Sequence, residues 1–176
     1  LALDDWIDAH FYNSVVVAVM LIVYGIAFIL IERRPRVPTT TKLSRITYRQ
    51  ALLVGAWQVL ALIPGTSRSG STIIGGMLCG CSRTAAAEFT FFLAIPVMFG
   101  WGVLKLIKYL MAVGLAMTAT EIAVLVVGIV TAFVVSVISI KFLMGYIKKN
   151  DFTAFGVYRI IVGLVVLAYF GVKVLL

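Results

Sequence analysis

Apolar residues dominate four long stretches of this chain, and polar residues gather between them. The stretches cover residues 14–31, 89–107, 122–140 and 154–172. A helix of about 20 residues crosses the hydrocarbon core of a bilayer, so each stretch is long enough to form a spanning helix. The pattern therefore predicts an all-α integral membrane protein with four transmembrane helices, forming one polytopic membrane domain over residues 1–176.

Two further apolar segments, residues 51–63 and 73–81, are too short to cross a bilayer. They flank a polar stretch, residues 64–72, that is rich in glycine and hydroxyl side chains. This arrangement predicts a re-entrant helix-loop-helix over residues 51–81. Backbone that is not helical at membrane depth is tolerated only where protein buries it or where it lines a watery cavity. The polar turn is therefore the expected place of function.

Composition supports a membrane protein and excludes an ordinary soluble domain. Of the 176 residues, 62% are hydrophobic and 12% are charged, whereas soluble proteins average about 45–50% and about 25%. We expect membrane lipids as partners and no nucleic acid, despite the net charge of +8. Cys79 and Cys81 are too close in sequence for a comfortable disulfide, and with His10 they form no metal-ligand cluster.

Basic residues indicate the orientation of the chain. Six of them lie between residues 32 and 50, and such residues concentrate in cytoplasmic loops. They are Arg33, Arg34, Arg36, Lys42, Arg45 and Arg49. This loop is therefore predicted to be cytoplasmic, and the acidic N-terminal residues Asp4, Asp5 and Asp8 are predicted to lie outside.

Prolines predict two local features of the backbone. Pro35 and Pro38 predict an extended linker before the re-entrant segment, and Pro96 predicts a kink in the stretch 89–107. The chain begins with Leu1 and lacks a signal-peptide pattern, so we expect a fragment.

The polar turn has the composition of an anion-binding site. Arg68 is a permanent planar cation, and a charge in the bilayer centre costs at least about 2.5–3.5 kcal/mol, so it needs a partner or a function. A helix opening at residues 69–72 would point free N–H groups at the same place. Two interpretations remain open: Arg68 binds a phosphate, or it pairs with Glu88 while the glycines allow close packing. The other residues of the turn are small or carry hydroxyls: Gly65, Thr66, Ser67, Ser69, Gly70, Ser71 and Thr72.

Residues 55–72, followed by Ser82-Arg83 and residues 86–89, closely resemble the bacterial undecaprenyl-diphosphatase family, also called bacitracin-resistance proteins. Residues 46–51 and Tyr158-Arg159 are similar as well, so the resemblance covers essentially the whole chain. It corresponds to roughly the C-terminal two-thirds of a fold built from inverted repeats, each with a re-entrant hairpin. The resemblance implies a bacterial plasma-membrane hydrolase that converts undecaprenyl diphosphate to undecaprenyl phosphate and inorganic phosphate. This reaction recycles the lipid carrier for peptidoglycan synthesis and confers bacitracin resistance.

The resemblance also implies roles for particular residues. Arg68, Ser67 and Ser69 are the expected catalytic residues. Two roles remain open for the serines, nucleophile or ligand of the phosphate oxygens, and the lack of a nearby acid or base in the sequence favours the ligand role. The expected substrate-binding residues are Gly65, Thr66, Gly70, Thr72 and Gln58. Mg²⁺ or Ca²⁺ is expected to bind with the diphosphate, through glutamates of a family motif that this chain does not contain. The chain alone is therefore expected to be inactive.

Three polar residues have a second interpretation. Glu88 and Arg83 are expected to support the site. Glu88 either holds Arg68 or Arg83 in place or stabilises a helix N-terminus. Gln58 lines the site or bonds to a neighbouring helix. Arg159 is expected to snorkel to the inner surface.

A different class of function is a transporter or flippase for a polyprenyl phosphate lipid, because broken helices and inverted repeats are typical of secondary transporters. A membrane scaffold is disfavoured by an arginine at the midplane. Assembly as a homodimer is compatible with the pattern.

Overall fold

The structure is a computed structural model that describes residues 13–35, 37–114 and 118–175. This part of the chain contains six α-helices and two short 3₁₀ turns, Leu43–Arg45 and Val59–Leu62. The helices are α1 (Ser14–Arg33), α2 (Tyr48–Gln58), α3 (Arg68–Leu78), α4 (Arg83–Val113), α5 (Ala119–Lys149) and α6 (Thr153–Leu175). The predictions for Asp4, Asp5, Asp8, His10 and Arg36 fall outside the described residues.

Four helices, α1, α4, α5 and α6, are long and apolar enough to cross a membrane. They contain the four predicted stretches, so the prediction of an all-helical protein with four such helices is confirmed. α4 continues through Pro96 as one helix. α2 and α3 have 11 residues each, which is about 16 Å of helix and half the thickness of a hydrocarbon core.

The non-helical turn between α2 and α3 is shorter than predicted. It covers only residues 63–67, whereas Arg68 to Thr72 already belong to α3. The reason is the side chain of Ser67, which caps the helix by accepting a hydrogen bond from the N–H group of Gly70 at 3.1 Å. Such a cap removes one of the unsatisfied donors at a helix start. The cap thus starts the helix at Arg68.

The described residues form two compact units. The second comprises Phe91–Lys149, which is the larger part of α4 and all of α5. Its apolar side chains are exposed almost throughout, Phe133 and Phe142 among them, as expected of helices whose solvent is hydrocarbon. The first unit takes the described parts of Leu1–Thr90 and Asn150–Leu176. Every residue of the candidate site belongs to this first unit.

Small residues bring the backbones of α1 and α6 almost into contact. A Cβ atom added to Gly25 would lie 2.7 Å from the carbonyl oxygen of Gly156, and one added to Gly163 would lie 2.8 Å from that of Ala18. Glycine and alanine permit such close approach between membrane helices, where dispersion contacts drive association. The close packing places Tyr24 of α1 and Arg159 of α6 beside the turn between α2 and α3.

Glu32, at the end of α1, forms hydrogen bonds with residues at the starts of α4 and α6. Its side chain is only 3% exposed, and its Oε2 atom accepts a hydrogen bond from Nε of Arg83 at 2.8 Å. Its Oε1 atom accepts one from the N–H group of Phe152 at 3.1 Å. Glu32 opens the loop that is predicted to be cytoplasmic, residues 32–50, and no partner is predicted for it. The structure instead makes it the link between the starts of α4 and α6.

The predicted linker is extended and fixed to the far end of α3. The N–H groups of Thr39 and Thr40 donate to the carbonyl of Gly80 at 2.9 and 3.1 Å, and that of Ser82 donates to the carbonyl of Thr40.

The thiols of Cys79 and Cys81 are free. Burial raises the pKa of the Cys81 thiol, and Cys79 raises it further, so Cys81 is a small, protonated packing residue.

Replacing Glu32 by alanine is expected to lower the free energy of unfolding by about 2–3 kcal/mol, measured by thermal unfolding in detergent. Removing one partner of a buried ion pair costs about 3–5 kcal/mol, and the 43% exposure of Arg83 reduces that cost. Glu88→Ala is the matched control, because Glu88 has no ion pair among the described residues. Its effect is expected to stay within about 0.5 kcal/mol. Equal stability of the two variants would contradict the role of Glu32.

Candidate functional site

The turn between α2 and α3 lies directly against the backbone of α1. Gly65 has a φ of +85°, and a Cβ atom added there would lie 2.5 Å from the carbonyl oxygen of Val17. Only glycine adopts this conformation without strain, and only glycine leaves the space for such contact. The turn is therefore fixed on α1, and the chain enters α3 from a defined position.

The start of α3 presents hydrogen-bond donors that no described residue uses. The N–H group of Ser71 donates to the carbonyl of Ser67 at 2.8 Å, and that of Gly70 to the Ser67 side chain. The N–H groups of Arg68 and Ser69 have no acceptor in the described part of the chain. The hydroxyls of Ser67 and Ser69 are 3.1 Å apart. Free donors and the positive end of the helix dipole together favour an anion at this place.

Arg68 is the first residue of α3 and is partly exposed. It forms no ion pair with any described residue, and Glu88 forms none either. Arg83 pairs with Glu32 rather than with Glu88. The pairing of Arg68 with Glu88, one of the two open interpretations, is therefore not seen. Glu88 is the sixth residue of α4, beyond the first turn, so stabilisation of the helix N-terminus has little geometric support as well.

Two hydroxyls at the start of α3 are engaged within the protein. Thr72 is 1% exposed, and its Oγ1 atom shares its proton between the carbonyls of Arg68 and Ser69, both at 3.1 Å. It also accepts from Thr90 of α4 at 2.9 Å. Ser71 is fully buried and donates to the hydroxyl of Tyr24 at 2.9 Å. These two residues hold the helix in place, whereas a substrate-binding contact was predicted for Thr72.

The remaining predicted binding residues lie around the turn. Gln58 ends α2, is half-buried, and has no side-chain hydrogen bond to the turn in the described chain. Gly70 is buried and packs against Ser67 and Phe28. The Oγ1 atom of Thr66 is buried and has no hydrogen-bond partner among the described residues. The structure therefore groups Gly65, Thr66 and Gly70 with Arg68 but gives Gln58 no contact with them.

Arg159 is the residue of this region that sequence reasoning missed. Its Nη2 atom donates to the carbonyl oxygen of Gly65 at 2.9 Å, and its guanidinium carbon lies 5.8 Å from the ring centroid of Tyr24. The side chain thus reaches the turn instead of snorkelling to the inner surface. One signal was present in the sequence: an arginine within a spanning helix is costly unless it has a partner or a function.

The donor set of this region does not fit a resident metal ion. No three His, Cys, Asp or Glu side chains come together within residues 13–35, 37–114 and 118–175. Divalent cations such as Mg²⁺ and Ca²⁺ require several oxygen ligands, mostly carboxylates. The cation expected from the resemblance therefore stays a prediction, and no chemical step is derived through it.

Comparison with known proteins supports the same picture. The family model described as "Bacitracin resistance protein BacA" matches residues 1–165. The undecaprenyl-diphosphatase of Enterococcus faecalis (strain ATCC 700802 / V583) is 58% identical over 171 residues, which are 96% of this chain and 62% of the relative. That of Acetivibrio thermocellus is 56% identical over 169 residues, 95% of this chain and 61% of the relative.

A third relative, the undecaprenyl-diphosphatase of Streptococcus thermophilus (strain CNRZ 1066), is 55% identical over 177 residues, 99% of this chain and 61% of the relative. The chain thus spans about three fifths of the length of the curated relatives it matches. Because the family model covers nearly the whole chain and the identities exceed one half, the chain belongs to the BacA family of bacitracin-resistance proteins.

Proposed function

We propose that the protein hydrolyses undecaprenyl diphosphate to undecaprenyl phosphate and inorganic phosphate, and so recycles the lipid carrier for peptidoglycan synthesis. The observation that carries the proposal is the start of α3, where the guanidinium of Arg68 and the N–H groups of Arg68 and Ser69 have no partner among the described residues. This is a set of donors suited to a multiply charged anion. The names of the relatives supply the identity of the substrate.

Charge neutralisation is what these residues contribute to the reaction. Breaking the bond between the two phosphates concentrates negative charge on the oxygens of the departing group, and fixed cations and N–H dipoles stabilise that charge. Arg68 presents a planar fork that bonds two phosphate oxygens at once. The N–H groups of Arg68 and Ser69 then donate hydrogen bonds to further oxygens of the diphosphate.

Ser67 and Ser69 are assigned as ligands of the phosphate oxygens. The Oγ atom of Ser67 accepts from the Gly70 N–H group, and the hydroxyls of Ser67 and Ser69 share one hydrogen bond at 3.1 Å, so one of their two protons is available for donation to a phosphate oxygen. The described residues offer neither serine hydroxyl a hydrogen bond to a carboxylate or imidazole, and a hydroxyl without such a base is a weak nucleophile. The hydroxyls therefore bind the substrate, and the attack is assigned to another group.

We place the α2–turn–α3 segment in the membrane as a re-entrant hairpin, as one part of an inverted-repeat architecture in the bacterial plasma membrane. Two observations support this placement: both helices are too short to span, and the turn is packed against α1. Irregular backbone at membrane depth requires such protein packing. The exposed basic side chains of Arg33, Arg34, Arg45 and Arg49 support a cytoplasmic position for loop 32–50.

The topology predicts that a cysteine in place of Val37 reacts with a membrane-impermeant maleimide only after the cells are opened. Val37 is 92% exposed, so its accessibility depends on the side of the membrane and not on burial. The experiment uses a background in which Cys79 and Cys81 are replaced by alanine, and a membrane-permeant maleimide is the control for reactivity. Labelling of intact cells would overturn the cytoplasmic placement.

Phosphate release from undecaprenyl diphosphate, by the protein expressed from its complete gene and purified in detergent, tests the proposed activity. The same preparation in vesicles is tested for transfer of the lipid between leaflets. Release of phosphate supports the hydrolase, whereas lipid transfer without hydrolysis would identify a flippase. Repeating the assay with a chelator, and then with Mg²⁺ or Ca²⁺ restored, tests the predicted cation.

A further inference from the structure

Two side chains, Arg159 and Tyr24, form hydrogen bonds with the two ends of the segment Gly65–Ser71, which contains the proposed anion site. At its beginning, the carbonyl oxygen of Gly65 accepts a hydrogen bond from Nη2 of Arg159 at 2.9 Å. A charged donor makes this bond stronger than an ordinary backbone bond. This hydrogen bond connects the turn to α6, because Arg159 lies 94 positions after Gly65 in the chain.

At the end of the segment, the hydroxyl of Ser71 donates to that of Tyr24 at 2.9 Å. Both residues are buried, so no water replaces this contact freely. Tyr24 and Arg159 also contact each other, because the guanidinium lies over the tyrosine ring at 5.8 Å from its centroid. An arginine over an aromatic face is attracted by the ring. The hydrogen bond to Gly65, the contact between Arg159 and Tyr24 and the hydrogen bond to Ser71 therefore connect the two ends of the segment.

The groups assigned to the diphosphate lie between these two hydrogen bonds in the chain. The guanidinium of Arg68 and the first two N–H groups of α3 have no partner among the described residues to orient them. The position of the segment sets the direction of the two N–H groups and the point from which the Arg68 side chain extends. Hydrogen-bond donors that stabilise a transition state must be held within a fraction of an ångström, because small displacements weaken them strongly.

We propose that Arg159 and Tyr24 form a positioning pair that aims Arg68 and the N-terminus of α3 at the diphosphate. The inference rests on the proposed function for its chemistry, but its structural part stands on the contacts above. Arg159 acts through the segment, since Nη2 donates to the Gly65 carbonyl and one face of its guanidinium is turned to Tyr24. Its Nε atom is buried and has no hydrogen-bond partner among the described residues, so direct binding of the diphosphate by Arg159 is the alternative outcome of the kinetic test below.

The kinetic test compares Arg159→Met, Arg159→Lys and Tyr24→Phe in the protein expressed from its complete gene. For Arg159→Met we expect kcat to fall by about 30- to 100-fold with KM changed by less than about threefold, since alignment is lost and not binding. Lysine retains one charged donor for the Gly65 carbonyl and is expected to recover about tenfold of that loss. Arg49→Met and Tyr158→Phe make the same chemical changes at exposed positions and are expected to leave kcat unchanged.

A double-mutant cycle with Arg68→Ala separates positioning from direct binding. If Arg159 acts through Arg68 and the start of α3, adding Arg159→Met to Arg68→Ala is expected to lower kcat by clearly less than the 30- to 100-fold expected for Arg159→Met alone, because the Arg68 guanidinium is already gone and only the N–H groups of α3 remain to be misaligned. A full, additive loss, or a rise in KM as large as the fall in kcat, would show that Arg159 binds the diphosphate itself and would overturn the proposal.

A measurement without substrate keeps this inference independent of the proposed activity. Ser69→Cys is introduced in a background in which Cys79 and Cys81 are replaced by alanine, and its alkylation rate is measured in detergent. Arg159→Met and Tyr24→Phe are expected to raise that rate several-fold, whereas Tyr158→Phe leaves it unchanged. If Arg159→Met does not fold, Tyr24→Phe and Arg159→Lys provide the same comparison.

The two measurements have distinguishable failures. Unchanged alkylation rates in folded variants would overturn the positioning pair, whatever the activity of the protein. A wild-type protein that releases no phosphate, while the alkylation rates still respond, would overturn the proposed function and leave Arg159 and Tyr24 as the residues that position the segment.

Discussion

Replacing Arg68 by alanine is expected to lower kcat/KM for phosphate release from undecaprenyl diphosphate by at least about 100-fold. Arginines that neutralise a transferring phosphoryl group contribute about 10³- to 10⁵-fold, and single hydrogen-bond donors about 10²- to 10³-fold. Arg68 is unpaired with any described residue and opens α3, so no structural ion pair is lost and the fold is expected to remain. Phosphate release at several substrate concentrations measures the effect, with thermal unfolding as a check on folding.

The matched control for Arg68→Ala is Arg45→Ala, which removes a guanidinium from an exposed position in the 3₁₀ turn before α2. Its kcat/KM is expected to stay within about twofold of the wild type, as for other exposed substitutions. Arg68→Lys keeps the charge but loses the fork that bonds two oxygens, so an intermediate activity is expected. Near-normal turnover by folded Arg68→Ala would remove this residue from the site.

Local patterns predicted the helices well because hydropathy and helix length are local properties. The four long apolar stretches each lie within one helix, and the two short ones correspond to α2 and α3. The extent of the turn was predicted less well. Glycines and hydroxyls over residues 64–72 predict a polar turn with a helix opening at residues 69–72, whereas the capping bond from Gly70 to Ser67 starts the helix at Arg68. One hydrogen bond decided the boundary.

The motif on one short segment predicts an anion site at Arg68, Ser67 and Ser69, because their residue types alone indicate one. Contacts between distant parts of the chain were not accessible in this way. Glu32 bonds to Phe152 across 120 positions, and Arg159 to Gly65 across 94. An arginine within a spanning helix indicates a partner or a function, but the sequence near Arg159 does not indicate that the partner is the carbonyl of Gly65. Such contacts depend on the close packing of α1 against α6.

Replacing Gly65 by alanine is expected to lower the free energy of unfolding by about 2–5 kcal/mol. The backbone at Gly65 has a φ of +85°, which costs an L-residue about 1–2 kcal/mol. The new Cβ atom would also lie 2.5 Å from the carbonyl oxygen and 2.7 Å from the Cα atom of Val17. Backbone atoms of α1 cannot move aside as a flexible side chain does, and overpacking of this kind costs about 1–3 kcal/mol.

Gly55→Ala is the matched control for Gly65→Ala, because Gly55 lies within α2 and an added Cβ atom there meets nothing within 4 Å. Alanine is favoured over glycine inside a helix by about 0.5–1 kcal/mol, so this variant is expected to be at least as stable as the wild type. Thermal unfolding of both proteins in the same detergent makes the comparison. A Gly65→Ala protein as stable as Gly55→Ala would mean that the turn does not lie against α1. The orientation of Arg68 would then no longer follow from the packing of Gly65 on Val17.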